Sequence, residues 1–273
     1  MPPRFASAII NGLLIGLTVV SLFPLVWMLS VSFMPAGAAG MFPPPLFPTA
    51  PTLANYRELF LRAGMLRFLL NSLLLASAVT LCSVVLNTMA GYAFAKLRFA
   101  GRERIFRVLI GALVIPGQVA MMPLFLLLKQ MHLLNSYGGV IVPGLAGIFG
   151  IYLVRQYAKS IPDELLEAAR VDSAGEFRIF AWIIVPLLRP VLVSLAILSF
   201  LGCWNDFMWP LIVLTDDRLQ TLPVALAALS REHVQDSEMM MAGSVVTILP
   251  VLAIFLALQK QYIQGLLLGS VKE

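Results

Sequence analysis

Apolar residues in this chain do not alternate with polar ones as they would in strands or surface helices. They run on. Six stretches read as continuous apolar helices, at residues 8–34, 67–95, 106–130, 138–157, 183–205 and 239–261. Each supplies the roughly 20 residues a helix needs to cross a bilayer, where the backbone must close its hydrogen bonds within the segment. The fifth is long enough only if Arg189 extends its charged head toward a headgroup. The pattern predicts an all-α integral membrane protein, one domain over residues 1–273 with six transmembrane helices.

Proline and glycine mark the interruptions. "FMPAGAAGMFPPPLFPTAPTLANYRELF" cannot be one helix and reads as an external loop leading to a short interfacial helix near 53–66. In the third run, "VIPGQVAMMP" places Pro116, Gly117 and Pro123 inside a membrane helix. Carbonyls freed there need a neighbouring donor or a wet cavity, and broken helices of this kind mark transport sites.

One segment breaks the apolar pattern outright. "DELLEAARVDSAGEF", residues 163–177, sets five acidic and one basic side chain into fifteen residues. Ser160 and Asp163 form an S-x-x-D start signal, and Pro162 suits a first helical turn. Leu165, Ala168, Ala169 and Asp172 recur three and four residues apart, a short face whose alanines permit close approach. "DSAG" ends that helix, and a second helical stretch climbs from Glu176 toward Pro186. A helix over about 161–176 is therefore expected between spans four and five. A helix lying on the membrane surface favours a basic polar face; this acidic one favours a protein partner, seated in a groove.

Composition agrees: 60% of residues are hydrophobic and 12% charged, against about 25% charged in soluble domains. Mean hydropathy is +0.91. The loop "KLRFAGRERIFR" and the segment after span four carry ten Lys and Arg, and Arg4, Lys260 and Lys272 join them on that side. Thirteen of the nineteen Lys and Arg thus lie on one side, which puts it, both termini and the acidic helix in the cytoplasm. The net charge of +5 is an orientation signal and needs no nucleic-acid partner. The first run is too long for a signal-peptide core and reads as a retained helix. Cys82 and Cys203, in apolar runs without metal or redox spacing, read as inert thiols.

Candidate chemistry is sparse. Ser77, Thr80, Ser83, Asn87 and Gly91 share one face of span two, either for close packing through small residues or as the wall of a polar path. At "CWNDFMWPLIVL", Asn205 and Asp206 meet Trp204, Phe207 and Trp209. These are either an interfacial aromatic belt or a ring facing a substrate, since indoles stack on sugars and Asn and Asp bind hydroxyls. No G-x-x-x-x-G-K-[ST] is present to cradle a nucleotide. "REHVQ" lacks the second histidine of a zinc site, His132 and His233 read as loop or interface residues, and Gly243–Ser244 lacks the second glycine of a serine-nucleophile turn.

"EAARVDSAGEFRIFAWIIVP" closely resembles the EAA loop of ABC-importer permeases, E-A-A-x-x-x-G followed by I-x-L-P, through Glu167, Ala168, Ala169, Asp172, Ala174, Ile183 and Pro186. Ser173 stands where that family has glycine, and Val185 where it has leucine. "FPLVWMLSVSF", "NSLLLASAVTLCSVVLNTMAGYAFAKLRF", "CWNDFMWPLIVL" and "GLLLGSVKE" resemble the carbohydrate permeases of the maltose-transporter type, its smaller second permease in particular. The resemblance implies a subunit of the bacterial inner membrane that pairs with a second homologous permease, two ATP-binding cassette ATPases and an extracytoplasmic sugar-binding protein. ATP and Mg would be bound by the ATPases, with no cofactor in this chain. It assigns ATPase coupling to Glu164, Glu167, Ala168, Ala169, Asp172, Ser173, Ala174 and Gly175. The tail contact to the ATPases falls to Gly269, Val271 and Lys272, and the probing of the binding protein to about 231–237, without the family's usual aromatic. The translocation path is expected at Ser83, Asn87, Trp204, Asn205 and Asp206.

A non-glycine residue at positive φ is strained by about 1–2 kcal/mol, so Ser173 is expected at a negative, helical or bridging φ. Two other classes fit less well. A secondary transporter half would carry buried ionisable residues for ion coupling, and an intramembrane enzyme would need a nucleophile with a base or a metal pair.

Overall fold

A computed structural model of the chain describes residues 3–232 and 236–270, with side chains for 7–230 and 236–259. Every regular element among the described residues is helical. Among the described residues, four helices are long and apolar enough to cross a membrane, or up to six if each of two bent pairs is one span. The chain divides into a unit of Met1–Leu69 with Leu222–Pro250 and a larger unit of Leu70–Thr221 with Val251–Glu273.

In the first unit, α1 (Pro3–Ser32) is apolar on all sides. None of its spanning window is buried within the chain, against 33% for α3 (Met65–Lys96). Its surface belongs to lipid or to a partner. Among the described residues its packing is confined to the C-terminal end: Trp27 packs on the core of Val31 and Met34, and Ser30 and Ser32 are buried. A helix C-terminus leaves carbonyls without partners. Asn55 of α2 (Ala54–Leu61) donates to the carbonyls of Ser32 and Met34, at 2.9 and 2.8 Å. Glu238, fully buried at the start of α14 (Ser237–Ser270), accepts from the amide of Ala39 at 2.7 Å and fixes the loop after α1. α13 (Leu222–Glu232) completes this unit.

In the larger unit, α3 runs on to Lys96, followed by α4 (Arg102–Ala112) and α5 (Gly117–Gln130). These last two bend by 105° at Pro116, the break expected from "VIPGQ". α6 (Tyr137–Gly144) and α7 (Ile148–Lys159) make the next span. α8 (Asp163–Val171) and α9 (Glu176–Ile179) follow, then a π-helical turn over Phe180–Ile184 and α10 (Val185–Leu187). The chain bends by 80° into α11 (Arg189–Trp204). Pro190 explains the bend: it has no N–H for the carbonyl of Pro186, and its ring crowds that carbonyl. α12 (Met208–Val213) closes the series.

The polar stripe of α3 does packing work. Asn87 is buried, donates to the Ser83 hydroxyl at 2.8 Å and accepts from the Gly147 amide at 3.0 Å, satisfying the break between α6 and α7. Gly91 touches α7 so closely that a Cβ there would come within 2.6 Å of the Val154 Cβ. Ser77, on the same stripe, is exposed.

Candidate functional site

The acidic segment is bolted to the end of α3. Leu166 of α8 is buried in a core with Ile161, Ile179 and Ile184, and Ala169 and Ala174 pack on that core. The other face of α8 is uncovered: Glu164, Leu165, Glu167, Ala168 and Asp172 are exposed, and Val171 is 84% exposed. In the segment that follows, Phe177 and Trp182 are also uncovered, each 79% exposed. Ala169, expected on the open face, points to the core instead, because Leu166 sets the inward side three residues earlier.

Polar braces hold α8 and α9 to α3. Lys96, its side chain only 7% exposed, donates to the Ile161 carbonyl and to Asp163. That hydrogen bond and the ammonium charge hold the Asp163 carboxyl below its usual range. One turn back, the Tyr92 hydroxyl donates to Glu176 at 3.0 Å, and Arg170 donates to the other Glu176 oxygen at 2.9 Å. The Tyr92 ring packs on Phe180 with centroids 5.5 Å apart. Lys96, Tyr92 and Glu176 were not singled out by sequence reasoning; a lysine at a helix end signals only orientation.

Two expectations about the ends of α8 are corrected. Ser160 does not cap it: Ser160 ends α7, its hydroxyl donates to Tyr157, and Pro162 takes the cap position without a side-chain bond. Asp163 is drawn to Lys96 instead. Ser173 lies at φ +61°, not in the helical or bridging region. The Ser173 amide bonds the Arg170 carbonyl at 3.0 Å, and the Ala174 amide bonds that of Ala169 at 2.9 Å. This is the Schellman ending, whose left-handed position glycine favours. α8 therefore stops at Val171, short of the predicted 176, and Ser173 carries the strain.

Also in the larger unit, beside the middle of α3, lies a cavity of about 490 Å³, within the usual range of small-molecule sites. Ser83 of α3, Gln118 of α5, Ser199 of α11, Asp206 and Trp209 supply its polar groups. Asp206 accepts from the Trp209 amide at 3.3 Å, and the Trp209 indole donates to the Gly139 carbonyl at 3.0 Å, so both are held in place. Of the path residues expected from sequence, Ser83 and Asp206 line this space and Asn87, Trp204 and Asn205 do not. Trp204 is buried and stacks on Phe200 at 5.6 Å; the Asn205 amide donates to the Leu201 carbonyl. Gln118 was missed, although it directly follows the Pro116–Gly117 break. No group of three or more metal-ligating side chains occurs among the described residues.

Residues 87–266 match the family of binding-protein-dependent transport system inner membrane components. The chain belongs to that family. It is accordingly a transport component and not an enzyme. It is 36% identical to the arabinooligosaccharides transport system permease protein AraQ of Halalkalibacterium halodurans, over 98% of this chain and 99% of that protein. It is also 36% identical to the lactose transport system permease protein LacG of Rhizobium radiobacter, over 74% of each. The sn-glycerol-3-phosphate transport system permease protein UgpE of Shigella flexneri is 29% identical over 93% of each chain. The crystal structure of a bacterial ABC transporter that imports the acidic polysaccharide alginate superposes with a TM-score of 0.84 at 22% identity, over 95% of this chain and 98% of that one, and shares the fold. The match includes α8, its braces to Tyr92 and Lys96, and most of the cavity lining. Of the tail residues, Gly269 lies in the last turn of α14, whereas Val271 and Lys272 fall outside the described residues, as do 233–235 of the external segment.

Proposed function

We propose that this chain is one of two homologous membrane-spanning subunits of a carbohydrate importer in the bacterial inner membrane, driven by ATPase partners. It crosses the bilayer six times, with both termini and α8 in the cytoplasm, and takes a di- or oligosaccharide or related polyol from an external binding protein. One observation carries this reading. α8 offers an exposed acidic and apolar face while Lys96, Tyr92 and Leu166 brace its other side against the body of the chain. Surface of that kind, on a segment this firmly held, fits a partner that pushes on it; the homologous sugar permeases supply the class of partner. In this reading Glu164, Glu167, Ala168, Asp172, Ser173 and Gly175 meet the ATPase, while Ala169 and Ala174 support them from behind. Gly269, Val271 and Lys272 reach the ATPases as a tail. Ser83, Gln118, Asp206 and Trp209 line part of the sugar path, with Asn87 and Trp204 shaping it from behind.

The test is reconstitution of the chain with its co-expressed partner permease, ATPases and binding protein in liposomes. ATP-dependent uptake is read across a panel of sugars, polyols and glycerol phosphate. Uptake of one carbohydrate class supports the reading, and uptake of none, by a complex that hydrolyses ATP, overturns the carbohydrate assignment.

A further inference from the structure

A second cavity, of about 640 Å³, lies between the end of α3 and the start of α4, and no residue of α8 or of the proposed path lines it. Arg98, Arg102, Arg104 and Arg107 line it, with Phe99 and one acidic residue, Glu103. That carboxylate is already used: it accepts from the buried Arg155 at 2.8 Å and lies 3.5 Å from Arg102. Arg102 also donates to the Leu97 carbonyl, and Arg107 to the backbone carbonyl of Glu103. Among the described residues, no carboxylate lies within ion-pair distance of Arg98, Arg104 or Arg107. Three guanidinium groups therefore face one space without a direct ion pair, although Arg98 is near enough to Asp163 for its charge to act on that carboxylate. The frame is fixed, because Arg155 donates to the Phe94 carbonyl and lies 3.8 Å from the centre of the Phe106 ring.

The surroundings are apolar. Phe99 and Ile105 are exposed, and Val108 is 73% exposed one turn further along α4. A site with cationic donors at one end and an uncovered apolar helix face beside them fits a ligand with an anionic head and hydrocarbon chains. We propose that this cavity binds the headgroup of an anionic phospholipid, with the phosphate among Arg98, Arg104 and Arg107 and the acyl chains along Ile105 and Val108. Arginine suits the role because its planar fork grips phosphate oxygens in pairs. Free phosphate would use the arginines and leave the apolar face without a purpose. Arg98 follows Lys96 by two residues, so the lipid would anchor the same end of α3 that braces α8. The proposal concerns only a membrane protein's lipid contact and holds whatever solute the chain carries.

The test uses the intact chain with its co-purifying subunits, taken from bilayers of phosphatidylcholine mixed with phosphatidylglycerol. Lipid retained through detergent purification is measured by mass spectrometry. The wild type should retain phosphatidylglycerol over phosphatidylcholine, and retention should fall as salt screens the contact. Each arginine should contribute roughly fivefold, so Arg98→Gln, Arg104→Gln and Arg107→Gln together should lower retention about 100-fold. The corresponding lysine variants should fall between the wild type and the glutamine variants, because an ammonium keeps the charge but not the paired grip, and Arg57→Gln with Arg62→Gln around α2 should leave retention unchanged. If the triple variant expresses poorly, Arg104→Gln alone should still show its single step. Unchanged retention in the glutamine variants would overturn the proposal. So would displacement of the lipid by millimolar inorganic phosphate at constant ionic strength, or equal retention of phosphatidylcholine.

Discussion

Around α8 the helix break is held by ion pairs; around the cavity the breaks are held by neutral groups and a single carboxylate, Asp206. Around α8, Lys96, Asp163, Arg170 and Glu176 brace the turn, and Ser173 takes a left-handed conformation to make it. Around the cavity, the α4–α5 bend arises at Pro116, Asn87 and the Trp209 indole satisfy nearby backbone groups, and Asp206 accepts from the Trp209 amide. The reason is solvent. Water at the edge of a membrane protein carries most of the cost of an ion pair, whereas within the apolar slab an unpaired charge is far more costly than a neutral amide. A mechanical difference is expected: the charged end should move with α3 as one piece, while the bend at Pro116 should let a cavity wall shift.

The largest expected effect breaks the outer face of α8. Glu167→Lys should abolish transport and co-purification of the ATPase while leaving membrane insertion intact. Charge reversal at a desolvated contact costs several kcal/mol. Normal uptake by this variant would remove α8 as the docking element.

Next comes the brace. Lys96→Met leaves the Ile161 carbonyl and Asp163 without their donor, a loss of about 1–3 kcal/mol. ATP hydrolysis should persist, with its stimulation by loaded binding protein largely lost, and the pair Lys96→Asp with Asp163→Lys should recover part of the coupling. Full stimulation in Lys96→Met would show that α8 needs no tie to α3.

The comparison sharpens at the cavity. Asp206→Cys should react with water-soluble thiol reagents at a rate that changes with ATP. Asn87→Cys, buried behind the lining, should react much more slowly in every nucleotide state. Equal reaction rates would place both on the path. The smallest effect is at residue 173: Ser173→Gly should raise the melting temperature by a few degrees through relief of about 1–2 kcal/mol, with transport unchanged. A lower melting temperature would mean that the serine makes a compensating bond.

The long apolar runs were legible because lipid imposes one rule on every residue, and α8 was legible as the exception to it. Its inner architecture was not. The family's glycine at residue 173 pointed to a left-handed turn, but serine is strained there, and that strain argued for the wrong φ. Lys96 looked like one more orientation charge, because its partner lies 67 residues away in sequence. Trp204 and Trp209 sit in one cluster, yet only Trp209 lines the cavity. The turn at Asn205–Phe207 decides which indole faces in, and no periodicity reports a turn's direction. Asn87 admitted both packing and path readings, and its bond to Gly147 became visible only once α6 and α7 were in place.

α3 and the α8–α9 segment should move as one body. The direct test is a pair of spin labels at Leu86→Cys on α3 and Arg178→Cys on α9, outside the residues assigned to the ATPase, with the two free cysteines, Cys82 and Cys203, replaced. Distances are measured by pulsed electron paramagnetic resonance in the assembled importer, with and without trapped ATP. One narrow distance is expected, the same in both states, even as labels across the cavity change their separation. A Leu86–Arg178 distance that shifts or splits on ATP binding would show that the two do not move together.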